Sequence, residues 1–186
     1  MFIIKNNYYL YIENTQSINF NFIKKSKKFC IIYRNNGKQE NFNKLNTLRK
    51  ECNKKRFKLY IANNLKLAIN CKADGLYLSS YNKKIHLRQN IDLIGSAHNY
   101  KEIYKKQKQG CKTIILSRLF KTNYKNKKSF LGITKFNLIA KKYKFNVMPM
   151  GGINGSNLLR LNQVCSDGFA LLSEIKKKPV ISNRLL

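Results

Sequence analysis

Eight short apolar runs, at residues 8–12, 29–33, 58–61, 75–78, 92–94, 113–116, 147–150 and 169–172, punctuate a chain otherwise rich in lysine and asparagine. Each is strand-sized. Between them, the stretches 42–55, 65–71, 100–109, 133–143 and 156–164 carry apolar residues at helical spacing with lysines on the other side. Strand-sized runs alternating with helical ones are the pattern of βα units that wind a parallel sheet. A first helix has to fit into 17–25, and a last one into 176–186, where Pro179 interrupts it. The reading is an α/β protein, a compact (β/α)8 TIM barrel with shortened first and last helices, since such barrels usually take at least ~200 residues and this chain has 186. An open doubly wound sheet is the alternative. A weak internal echo supports the repeat: residues 71–79 and 165–173 both run from a helix end through Asp-Gly into a strand. The two aspartates, Asp74 and Asp167, then sit at the amino ends of strands, the face that governs stability, and are not expected to be catalytic.

Composition narrows the class. One domain over 1–186 is expected, with 43% hydrophobic residues to build its core. No apolar run approaches the roughly 18 residues that span a bilayer, so a soluble, cytoplasmic protein without a membrane partner is expected. The five cysteines are odd in number, widely spaced and without a C-x-x-C pair, as structural thiols in a reducing compartment would be. The formal charge of +30 is spread over nearly every segment and accompanies about 25 asparagines, which fits a compositional bias. A recognition stripe would cluster its basic residues with interleaved aromatics, and specific nucleic-acid binding is not expected.

Three segments could carry chemistry. Met150-Gly151-Gly152-Ile153-Asn154-Gly155-Ser156-Asn157 follows a strand and opens the 156–164 stretch. Glycines there let backbone amides approach an anion closely, and a helix amino terminus would add favourable partial charge. With Leu172-Ser173 after the last strand it forms the phosphate site that such barrels build from their seventh and eighth loops; a tight turn alone is the plain alternative. Gly95-Ser96-Ala97-His98 ends the fifth strand, where a histidine is a candidate proton carrier. A loop histidine bonded to its own backbone would read the same way, and His86 is less well placed. The polar connection 121–128 could close over an anionic ligand.

In this order the pieces resemble the thiamine phosphate synthase/TenI family, from about Tyr8 to Ile175 and most strongly after Leu59. The segment 59–68 resembles the family's third strand, in which Asn-Asp precedes a helix. Ala73-Asp74-Gly75-Leu76-Tyr77-Leu78 is similar to its Ala-Asp-Gly-Val-His-Leu, and Gly95-Ser96-Ala97-His98 to its Gly-x-Ser-x-His, one residue shorter. Phe120-Lys121-Thr122-Asn123-Tyr124-Lys125 resembles Phe-x-Thr-x-Thr-Lys, and Met150-Gly151-Gly152-Ile153 resembles Ile-Gly-Gly-Ile.

The resemblance implies small-molecule partners, phosphorylated thiazole and thiamine intermediates. Family synthases join a pyrimidine methyl pyrophosphate to a thiazole phosphate, with magnesium held by two aspartates. Those positions fall on Asn63 and Asn82, whose neutral amides are poorer ligands for a hard cation. On the pyrimidine side, 31–36 keeps only Arg34. The thiazole phosphate end persists, in Thr122, Lys125, Gly151, Gly152 and Ser173. This balance resembles the TenI branch, which shifts a proton during thiazole aromatisation and needs no metal. The favoured expectation is a TenI-like tautomerase without a cofactor, with His98 moving the proton while Gly152, Ser173 and Lys125 hold the phosphate, and with Lys125 and Ser96 counted beside His98 as catalytic candidates. The alternatives are a thiamine phosphate synthase, with Arg34, Asn63, Asn82, Ser96 and Lys125 around the pyrophosphate and magnesium in a weak site at Asn63 and Asn82, or a barrel that binds its ligand without turnover.

Overall fold

The computed structural model describes residues 5–23, 26–35, 41–85, 90–122 and 129–172. His86, Lys125, Ser173, most of the 121–128 connection and the 176–186 stretch lie outside the described residues. Eight parallel strands follow one another in chain order around a closed barrel. They are β1 (Asn7–Ile12), β2 (Phe29–Tyr33), β3 (Lys58–Ala62), β4 (Gly75–Leu78), β5 (Asp92–Ala97), β6 (Thr113–Ser117), β7 (Asn146–Met150) and β8 (Gly168–Leu171). The ring is sealed where β8 pairs with β1, from Asn7 opposite Gly168 to Leu10 opposite Leu171. The sheet is therefore closed, and the open doubly wound alternative does not hold.

All eight apolar runs became strands because both of their faces are buried. Tyr8, Leu10 and Ile12 face the helices, while Tyr9 and Tyr11 fill the barrel, and the alternation continues around the ring. The interior is unusually aromatic. Tyr9, Tyr11, Tyr60 and Tyr77 share it with Ile32, Ile94, Ile115 and Met148. Tyr11 and Tyr77 meet edge to face at 5.3 Å, and the Tyr60 hydroxyl donates to Asp92 Oδ2 at 2.8 Å. Burial raises all four phenols above their ordinary pKa and pushes the Cys30 thiol up to about 12. These groups stay neutral.

The helices α1 (Phe42–Lys55), α2 (Leu65–Asn70), α3 (Tyr100–Lys108) and α4 (Gly132–Ala140) cover the outside. Asn41, Asn64 and Asn99 each cap one of them by accepting a backbone amide bond. Two expected helices are corrected. The first is a single 3-10 turn at Phe20–Phe22, and the stretch 156–164 is a turn followed by a 3-10 helix at Leu158–Gln163. In the second case side chains compete with the helix for backbone groups. Asn154 N donates to Asn157 Oδ1 at 2.9 Å, Ser156 N to Asn154 Oδ1 at 3.0 Å, and Asn157 Nδ2 to Gly152 O at 2.7 Å. Strand β5 also outruns its apolar core: Gly95, Ser96 and Ala97 pair with Ile114, Ile115 and Leu116.

The Asp-Gly echo has a structural meaning. Asp74 accepts Leu59 N at 2.8 Å and pairs with Arg49, tying α1 to the amino ends of β3 and β4. Asp167 O accepts the amides of Asn6 and Asn7 at 2.7 and 3.1 Å. A Cβ on Gly168 would stand 1.9 Å from Asn7 O, so the seam of the barrel closes only on a glycine. Among the described residues, no helix is long and apolar enough to cross a membrane.

Candidate functional site

A cavity of about 540 Å³ opens at the carboxyl ends of β5 to β8. Its floor is apolar, from Met150 and Ala170, and Phe130 forms a lip. Gly151, Gly152, Thr122 and His98 all line it, so four residues singled out in the sequence converge on one space. The loops after β6 and β7 are zipped together, with Leu119 N donating to Met150 O at 2.9 Å and Phe120 N to Gly151 O at 3.0 Å. Both glycines have positive φ, +94° and +71°. A Cβ on Gly152 would lie 2.4 Å from Lys121 O and 2.6 Å from Phe120 O, so only glycine permits this approach. The loop's side-chain acceptors, Asn157 Oδ1 and Asn154 Oδ1, are taken by the amides of Asn154 and Ser156, not by those of Gly151 and Gly152.

Charge at this cavity comes from residues that sequence reasoning passed over. Arg118 and Lys135 line it beside His98, and among the described residues no carboxylate does. Arg118 donates to Thr122 Oγ1 at 3.0 Å and to Ser129 O at 2.7 Å, holding both ends of the connection after β6. Neither Arg118 nor Lys135 sits in a motif that would mark it out among 38 lysines and arginines.

His98 is held by a carboxylate. Glu102 Oε2 lies 2.9 Å from His98 Nδ1 and accepts the His98 backbone amide at 2.8 Å. Glu102 in turn completes the cap of α3, its amide donating to Asn99 Oδ1 at 2.9 Å. Burial works to raise the Glu102 pKa, but the bonds from His98 and Asn99 outweigh it and leave the carboxyl below its ordinary value. An ionised Glu102 fixes the proton of neutral His98 on Nδ1 and leaves Nε2 as the base. Glu102 was missed as well, although its spacing of three from Asn99 and four from His98 is that of a capping box and a helical neighbour.

The remaining candidates lie elsewhere. Ser96 is 5% exposed inside β5, near the buried Tyr77. Arg34 follows β2, its amide bonded to Ile12 O at 2.8 Å and its charge acting on the buried Tyr11 and Tyr77. Asn63 and Asn82 do meet, at 3.0 Å, but as a hydrogen bond from Asn82 Nδ2 to Asn63 Oδ1. The same oxygen accepts Ser79 N at 2.9 Å, and Asn82 Oδ1 accepts Lys84 N at 2.9 Å. Asn63 Nδ2 donates to Ser79 Oγ and to the Tyr81 hydroxyl. Both side-chain oxygens that a magnesium ion would need are already engaged by protein donors, and the pair does not fit that ion. Among the described residues there is no group of three His, Cys, Asp or Glu that could hold a metal.

The model of the TMP-TENI family, described as thiamine monophosphate synthase, matches residues 21–175. The chain belongs to this family. Curated relatives include a thiamine-phosphate synthase of Prochlorococcus marinus, 31% identical over 114 residues, which are 59% of this chain and 33% of that protein. That of Clostridium botulinum is 28% identical over 122 residues, 63% of this chain and 57% of the relative. The chain thus matches a third to somewhat over half of the length of these family members. Among solved structures, thiamine phosphate pyrophosphorylase from Pyrococcus furiosus superposes with a TM-score of 0.77 at 17% identity, covering 98% of this chain and 94% of that one. The Bacteroides thetaiotaomicron thiamine phosphate pyrophosphorylase gives 0.63 at 15% identity, covering 97% and 93%. At these identities the structural likeness speaks for the barrel fold.

Proposed function

We propose that this family member binds a thiazole phosphate in the cavity between β5 and β8 and moves a proton on it, as a TenI-like tautomerase. The observation that carries the reading is that His98, oriented by Glu102, lines the same cavity as the Gly151-Gly152 turn. The phosphate sits against the glycine amides, with Arg118 and Lys135 supplying charge and Thr122 a hydroxyl. Lys125 and Ser173 belong to the same phosphate end on the strength of the motif. The ring lies over Met150 and Ala170 under the Phe130 lip, and the apolar floor keeps water from it. His98 Nε2 takes a proton from one ring position and returns it to another while Glu102 balances the transient imidazolium. An isomerisation of this kind consumes nothing and releases nothing.

Aromatisation of the thiazole phosphate tautomer, followed spectroscopically with wild type and His98→Ala, tests this. A loss of about a hundredfold or more is expected for a general acid–base group, and equal rates remove His98 from the mechanism. A second reading, thiamine phosphate synthase, is favoured by the family description and by the names of the relatives. Arg34, Asn63, Asn82 and Ser96 would then face the pyrophosphate. Incubating both synthase substrates with and without magnesium decides it, because no coupled product under either condition rejects the synthase. Tight thiazole phosphate binding with neither reaction would assign a ligand-binding barrel.

A further inference from the structure

The corner formed by the loops after β3 and β4 has a cation of its own. Lys106, on α3, is 1% exposed, and its ammonium donates to Ser79 O at 2.6 Å, Asn82 O at 2.8 Å and Gln109 Oε1 at 2.9 Å. These three bonds use the three ammonium protons. Gln109, also buried, donates through Nε2 to Asn82 O at 3.1 Å and Lys84 O at 2.7 Å. The lysine stem reaches this place because Gly95 carries no side chain: a Cβ there would stand 2.8 Å from both Cγ and Cδ of Lys106. Burying an ammonium is costly unless oxygens replace its water. Desolvation lowers the Lys106 pKa below the ordinary lysine value, while Cys111 and Glu102 act in the other direction.

We infer that Lys106 is the resident cation of this corner: it positions the 79–82 turn so that the Asn63 and Asn82 amides close on each other, leaving the ligand-free corner without affinity for a divalent ion. A divalent ion holds two loops by drawing oxygens from both. Lys106 draws the carbonyls of one loop from behind, and the Asn82–Asn63 amide bond joins that loop to the other. The resulting arrangement leaves the turn's amides engaged, Asn82 N and Lys84 N within the turn and Ser79 N by Asn63 Oδ1 of the facing loop. Lys106 is a positioning residue, and the inference holds whichever reaction the barrel runs.

Electron paramagnetic resonance of Mn²⁺ added to the full chain tests it. Wild type is expected to leave the free-ion signal intact up to about 1 mM; one equivalent bound more tightly and lost in Asn63→Ala overturns the inference. Restoring the carboxylates in the double variant Asn63→Asp, Asn82→Asp is expected to give weak binding, and adding Lys106→Met to strengthen it at least tenfold. Equal affinity of the double and triple variants overturns the role of Lys106. If the triple variant does not fold, hydrogen exchange of the single variant Lys106→Met decides. The amides of Ser79, Asn82 and Lys84 should exchange at least tenfold faster while those of β2 and β6 keep their wild-type rates; unchanged exchange at 79–84 overturns the inference.

Discussion

Two corners of one rim spend their hydrogen-bonding groups in opposite ways. At the ends of β6 and β7, the carbonyls of Met150 and Gly151 bind the neighbouring loop, the amides of the glycine turn are left out of the side-chain caps, and Arg118, Lys135 and His98 gather around a cavity. At the ends of β3 and β4, each amide oxygen of Asn63 and Asn82 already has a donor, and a cation, Lys106, is buried behind the turn. The first corner suits an anion. The second has satisfied itself. The lesson is that charge alone does not make a site in a chain carrying +30; what matters is where the fold gathers it beside a cavity and which acceptors it has already engaged.

The sharpest way to break the contrast is to change the glycine turn. Gly152→Ala puts a Cβ 2.4 Å from the Lys121 carbonyl at a φ of +71°, so the loops after β6 and β7 must separate. Hydrogen bonds to a charged group contribute about 1.5–3 kcal/mol, so losing the turn's contacts with the phosphate is expected to lower thiazole phosphate affinity by on the order of a hundredfold, read by calorimetry. Gly155→Ala is the control, since its Cβ meets nothing within 4 Å. Equal affinities for the two variants would mean that the turn is not the anion seat.

This contrast also separates what was legible in the chain from what was not. The strands were legible because every run is apolar on both faces, and the tight turn after β7 because Gly-Gly after a strand has few structural uses. The end of β5 was not, since Gly95-Ser96-Ala97 has no strand propensity and is held in place by its pairing with β6 and, at Gly95, with β4. Nor was the 3-10 helix at Leu158–Gln163: Leu158 and Leu161 bury themselves at helical spacing, but the Asn154, Ser156 and Asn157 side chains take the backbone groups that an α-helix would need. Arg118, Lys135 and Lys106 were hidden for another reason. Among 38 lysines and arginines a single cation carries no positional information until the fold says what it touches.

A smaller effect is expected from Arg118→Gln, which keeps a donor near Thr122 and Ser129 but removes the charge from the cavity. Hydrogen bonds to charged groups contribute about 1.5–3 kcal/mol, so phosphate-ester affinity should fall roughly tenfold or somewhat more at low salt. Because Arg118 is half-buried at an open mouth, the deficit should shrink as salt rises toward 1 M. A deficit independent of salt would show that Arg118 acts by bracing the loop and not by attracting the anion.

The smallest effect belongs to the hinge between the corners, where Glu102 faces His98 on the cavity side and Lys106 lies further along α3. The folded-state pKa of Glu102 lies below its unfolded value, so its contribution is full above the ordinary glutamate range near about 4.3 and is lost as pH falls through the lowered value. Glu102→Gln should therefore melt below wild type at neutral pH, with the gap closing under acid. Discounted for solvent screening of a partly exposed pair, the gap is on the order of 0.5 kcal/mol. The same variant should slow aromatisation more than this stability loss accounts for, because glutamine can present its amide NH₂ to the ring and favour the wrong tautomer of His98. A variant that loses stability and keeps full activity would leave Glu102 as a helix cap alone.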